Sequence, residues 1–213
     1  MPFKPESIQL INRAREQAGF LSLEETAALV SSGNIVFDPF STLISRKVAI
    51  GAQNVFHPNT RIACHEDAMV EIGSGNVFHS NTVIEASMNR IAIGDHNQFG
   101  EGMVCLKANA PDAFIEVGNL GRYCGIISLY GRTRLGSGSQ ILGNITAYNC
   151  VLGEGCPHSH PVPDERGSVL KGSGTAKNIQ LTRGQVIEGW GRFDAEAVTR
   201  QSSFHPPTSQ SGA

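Results

Sequence analysis

Five dipeptides of an apolar residue followed by glycine punctuate this chain: Ile50-Gly51, Ile72-Gly73, Ile93-Gly94, Val117-Gly118 and Leu135-Gly136. Four of them carry a second apolar residue two positions earlier, at Val48, Val70, Ile91 and Ile115. Counting in sixes from each anchor reaches Phe56 and Ile62, Phe78 and Ile84, Phe99 and Cys105, Tyr123 and Leu129, and Ile141 and Ala147. All of these later positions are apolar in a chain that is 40% hydrophobic, a coincidence on the order of one in ten thousand. A period of six is not the helical period, and it marks a repeat architecture.

The anchors lie 22, 21, 24 and 18 residues apart. Three sixes fill the shortest interval, and in the others the surplus falls after the third six, around His65-Glu66-Asp67, Ser87-Met88-Asn89 and Ala108–Asp112. A three-sided coil accounts for this. Each six is a short strand ending at a corner, and the extra residues bulge at one corner. Coils stacked about 4.8 Å apart turn matched apolar positions into ladders inside a triangular prism. Asn54, Asn76 and Asn97, with Gly121 next in line, fall at one corner, and Asn59 and Asn81, with Gly102, at another. Asn and Gly accept left-handed backbone angles at least cost. The reading is an all-β parallel β-helix of at least five coils.

The text Ile-Gly-x-x-Asn-Val-Phe-His-x-Asn-Thr occurs twice, at Ile50–Thr60 and Ile72–Thr82. On these residues the chain resembles the left-handed β-helix, or hexapeptide-repeat, family over roughly residues 44–156. Within it the chain is similar to the small pointed-end subunits of dynactin and their bacterial relatives. The resemblance supplies the left-handed winding, because parallel crossovers are otherwise right-handed.

The flanks read differently. Glu6–Gln17 has a helical stripe of Ile8, Ile11 and Ala14. Leu21–Ser31 reads as a second helix, with Ser22 and Glu25 forming a capping box and Gly33 ending it. Both helices are expected to cover the first coil, whose open strand edges invite aggregation. Val169–Glu188 holds two short strand-like runs of an irregular last coil, and a short helix is expected over Asp194–Arg200. The Pro/Ser/Gly-rich tail from Pro206 reads as disordered. The chain thus divides into a helical cap (1–33), a repeat body (34–190) and an extension (191–213).

Composition narrows the classes. The 24 glycines with only 7% aromatic residues fit a fold of many tight corners. A net charge of −2, with no stripe of basic and aromatic residues, gives no pull toward nucleic acid or an anionic membrane. The five cysteines form no C-x-x-C pair, which speaks against a zinc knuckle or a disulfide framework. The start of the chain lacks the features of a signal peptide, and no apolar run approaches a membrane span. The expected location is cytoplasmic.

Two places concentrate chemistry. The segment Cys156–Arg166 breaks the repeat and gathers His158, His160, Asp164, Glu165 and Arg166 with the Cys156 thiol. The step His160-Pro161 followed by acidic residues and arginine is similar to a loop of galactoside-type acetyltransferases of this fold. That similarity casts His160 as a general base deprotonating an acceptor that attacks a thioester. The alternative is a proline-rich surface loop, because Val169 onward lacks the regular Ile-Gly coils that build the family's acyl-CoA groove. Cys156, His158 and His160 also offer donor atoms suited to zinc. His57 and His79 each follow the middle anchor of a coil and should point outward one rung apart, with Gly100 on the third rung. In hexapeptide acyltransferases catalytic histidines sit between subunits on such a face. A duplicated sequence explains the pair equally well.

Three functions stay open. The fold's resemblance implies an acyltransferase using acetyl-CoA or another acyl-CoA, working as a homotrimer on a small-molecule acceptor. The dynactin resemblance implies a non-catalytic scaffold. A metal-dependent enzyme similar to the γ-class carbonic anhydrases is the third.

Overall fold

A computed structural model describes residues 4–205, so the tail read from Pro206 onward lies outside the described residues. The chain is mostly β-strand, and its strands are short because a corner interrupts each of them every few residues. They stack in parallel into three ladders. The first wall runs through Ile35–Val36, Val55–Phe56, Val77–Phe78, Gln98–Phe99 and Arg122–Cys124. The second runs through Leu43–Ile44, Arg61–Cys64, Val83–Ala86, Val104–Ala108 and Ile127–Tyr130. The third is a separate seven-stranded sheet from Ala49–Ile50 to Gln180–Leu181. Each coil visits the walls in the same order, which makes this a parallel β-helix-like fold.

The core is one continuous cluster built as ladders. The rings of Phe56, Phe78 and Phe99 stack nearly parallel with centroids 5.2 Å apart, and Tyr123 continues the stack at 5.3 Å, tilted by 31°. All four rings are fully buried, each contributing about 2–3 kcal/mol of hydrophobic stabilisation. The Tyr123 hydroxyl meets Ser139 Oγ at 3.2 Å, and burial pushes its phenol far above the ordinary range. The count of six fails at one place. Leu106, not Cys105, pairs with Ile84 and Leu129 and fills the core. The turn Gly100–Met103 holds one residue more than its equivalents, so Cys105 sits on the outer face between Val83 and Ser128.

The corners correct a second expectation. The left-handed residues at the first corner are Gln53, Gly75, His96 and Leu120, one before each expected position. Asn54, Asn76 and Asn97 point inward instead and are almost wholly buried. Asn54 Oδ1 accepts from the Asn76 amide at 2.9 Å, Asn76 Oδ1 from the Asn97 amide at 2.9 Å, and Asn97 Oδ1 from the Gly121 amide at 2.8 Å. Asn34 starts this ladder by accepting from the Asn54 amide at 2.8 Å. At the second corner Asn59 and Asn81 do take the left-handed conformation, with φ of 63° and 66°.

The repeat does not fade after the Cys156–Arg166 loop. Gln140–Tyr148, Val169–Lys177 and Gln185–Arg192 each run on from the first wall without a break; the first two pair over their whole length, and Val169–Thr175 pairs with Val186–Arg192. Leu170, Ala176, Leu181 and Ile187 continue the core. At the bend Gly125, Gly143, Gly172 and Gly189 lie one above another, and a Cβ on Gly143 would fall 2.0 Å from the Gly172 carbonyl oxygen.

The ends are capped by different means. Helix α1 (Pro5–Gln17) leaves Ala14 exposed and buries Arg15 instead. Its guanidinium donates to the carbonyls of Leu21, Pro39 and Thr42 and to Thr26 Oγ1, all at 2.7–2.8 Å. Helix α2 (Leu23–Ala28) starts in the expected capping box, with Ser22 Oγ accepting from the Glu25 amide and Glu25 Oε2 from the Ser22 amide. At the other end Val198–Arg200 is a strand, not a helix. It pairs antiparallel with Gln185–Ile187 between two short 3-10 turns.

Candidate functional site

The outer face of the first wall carries two adjacent columns. One runs Val77, Gln98, Arg122, Gln140, Val169, Val186 from coil to coil. The other runs His57, His79, Gly100, then Cys124, Leu142, Lys171, Glu188. His57 and His79 stack with centroids 4.8 Å apart and 13° between planes, and Phe37 covers the far side of His57 at 4.9 Å. Burial first, and the neighbouring His79 charge second, hold the His57 ring below the usual histidine range. His79 Nε2 lies 3.4 Å from the Gln98 amide nitrogen. Gly100 has φ of +141°, and a Cβ there would meet the His79 Cβ at 2.2 Å. Glycine is therefore required, and the rung beyond His79 has no side chain.

Further along the same face the columns enter a cavity of roughly 440 Å³. Its floor is Arg122, Gln140, Leu142, Val169 and Lys171 of the first wall. Its sides are His158 and Arg166 of the loop and Gln201, Phe204 and His205 of the C-terminal segment. Two ties hold these sides together. Asp164 accepts from the Ser202 amide and hydroxyl, both at 2.9 Å, and the backbone bond keeps its carboxyl below the usual range. Buried Gln201 donates to the Gly167 carbonyl at 2.6 Å. Lys171 is paired with Glu188 at 3.3 Å and lies over the Phe204 ring. Arg166 Nη1 is 3.4 Å from His205 Nε2. The Arg122 guanidinium makes no ion pair among the described residues. Arginines, a lysine and histidines around one hollow favour an anionic ligand.

The sequence candidates therefore part company. His57 and His79 come together as expected, and His158 faces the cavity. His160 turns away from that cavity, with Nδ1 3.3 Å from the Val162 carbonyl oxygen and Nε2 3.5 Å from Glu165 Oε2. Its companions are Cys156 and Glu165, not the Cys156 and His158 expected for a metal. Sequence reading missed Arg122, Lys171, Gln201 and His205 as neighbours. Arg122 and Lys171 were reachable once the coil register was extended past the loop, but nothing local placed the C-terminal segment beside them.

Fold and site together define a parallel β-helix-like protein with a basic cavity where its insertion loop folds back on the last coils. No protein-family model matches the chain, and no curated protein matches it. No helix among the described residues is long and apolar enough to cross a membrane.

Proposed function

We propose that the chain is a left-handed hexapeptide-repeat protein that transfers an acyl group from a coenzyme A thioester to a small acceptor, as a homotrimer. The observation that carries this reading is the continuous outer face joining the basic cavity to His79. Phosphates of the donor sit among Arg122, Arg166 and Lys171. The thioester arm follows the column past Cys124 to the open rung at Gly100. Leu142 at the cavity lies three rungs from His79, about 14 Å at the spacing of neighbouring strands, a distance an extended thioester arm spans. An acceptor hydroxyl or amine attacks the thioester carbon, His79 takes its proton, and the thiol leaves with a proton. His158 at the cavity and His57 behind His79 have supporting parts, and His160 has none in the acyl step. A neighbouring subunit against the histidine face would close the groove.

Acetyl-CoA is expected to raise the melting midpoint by roughly 5 °C at a hundredfold excess over its Kd. Arg122→Ala should lose most of that shift, whereas His79→Ala should keep it and lose turnover, read as free-thiol release with a panel of amine and hydroxyl acceptors. No shift with the wild-type chain sinks the reading.

A scaffold role is the second reading, favoured by Ile35, Phe37 and Phe40, which lie exposed on the first coil. It predicts a partner bound at that end and no response to coenzyme A.

A further inference from the structure

We propose that Cys156, His160 and Glu165 form a binding site for a zinc-like divalent cation that staples the insertion loop, independently of the acyl-transfer reading. One ligand atom from each lies within 4.8 Å of the other two, and His160 Nε2 is 3.5 Å from Glu165 Oε2. Metal–ligand bonds of about 2.0–2.3 Å in a tetrahedron place ligand atoms roughly 3.3–3.8 Å apart, so small side-chain rotations bring all three onto one ion.

The loop holds these residues in place through its backbone. The Cys156 amide donates to the Glu165 carbonyl at 2.8 Å, and the Gly167 amide to the Cys156 carbonyl at 3.0 Å, so an isolated parallel bridge between Cys156 and Arg166 ties the first ligand beside the last, which ends a short 3-10 turn. Arg166 Nε donates to the His160 carbonyl at 2.8 Å and fixes the middle one. His160 Nδ1 is occupied by the Val162 backbone at 3.3 Å. The Val162 amide points its N–H at Nδ1 and the Val162 carbonyl faces the same nitrogen, so the main chain accommodates either tautomer. A bound ion selects the one with the Nδ1 proton on the carbonyl and the Nε2 lone pair toward the cluster, the orientation metal-binding histidines take. A Cys–His–Glu proton relay is the competing chemistry. It needs the thiol and the carboxylate on opposite ring nitrogens, and here Nδ1 already belongs to the main chain.

A thiolate, an imidazole and a carboxylate suit zinc better than a hard cation such as magnesium. The thiolate and carboxylate neutralise the ion, and three protein ligands leave a fourth position for water. His158 takes no part. Because His158 and Arg166 stand on the same loop, a bound ion would hold both against the cavity.

The test is titration of chelator-stripped, full-length protein with Co(II). One equivalent is expected to bind with a near-ultraviolet thiolate-to-metal charge-transfer band. Cys156→Ser should abolish the band, Glu165→Gln and His160→Gln should weaken binding more than about tenfold, and His158→Ala should change neither. Circular dichroism on each variant checks that the fold is intact. A wild-type chain without the band overturns the proposal, as does a band that survives Cys156→Ser and so belongs to another cysteine.

Discussion

Asn76 illustrates how single side chains set this fold. Its Oδ1 accepts from both the Asn97 amide and the Asn97 side chain, and its Nδ2 donates to the Gly94 carbonyl at 2.9 Å. The side chains of Asn54, Asn76 and Asn97 are almost wholly out of reach of water, so each of their contacts replaces one that solvent would have made. Asn76→Ala is expected to cost about 2–4 kcal/mol, because a buried amide and carbonyl lose partners together, measurable as a lower urea midpoint. Asn34→Ala, which breaks only the start of the ladder, should cost less. Gly100 has the opposite character, since it matters through what it lacks.

The two ends of the stack are elements of different kinds. Helix α1 is held mainly by Arg15, whose buried guanidinium replaces a hydrophobic stripe with bonds to main-chain carbonyls. Burial lowers its pKa, yet it stays charged. Arg15→Ala is expected to cost about 2 kcal/mol or more by orphaning those carbonyls, and hydrogen exchange should report faster opening of residues 5–44 with the later coils unaffected. The strand ladders were legible in the sequence because one face of each wall must be apolar in every coil, so the pattern repeats. Phe56, Phe78 and Phe99 stack as that pattern requires. Most of what escaped departs from repetition, the exception being the first corner, where the left-handed residue sits one before the expected position in every coil. One extra residue in Gly100–Met103 moved the core position from Cys105 to Leu106. Arg15 was hidden because a charged residue is not counted as core. At the candidate site, the stacked histidines follow from register alone. The union of Cys156, His160 and Glu165, and the cavity beside it, depend on how an insertion folds across the wall, which no period encodes.

At the scale of the whole molecule, each coil touches only the coil above and the coil below, so stability is close to a sum of neighbouring contacts. The last full strand, Gln185–Arg192, would end the stack with unpaired amides and carbonyls. Val198–Arg200 covers the first part of that edge, Gln185–Ile187, and it does so in antiparallel sense. Thr199→Pro is expected to open this cover by removing a donor and constraining the backbone, with concentration-dependent association in sedimentation velocity as the measure. The reversal of direction also has a topological consequence. A parallel strand would have offered the next chain the same template that every internal coil offers, and molecules could have joined top to bottom into a fibre. Turning the final segment around makes the terminus a mismatch for its own beginning, so the column has a defined length.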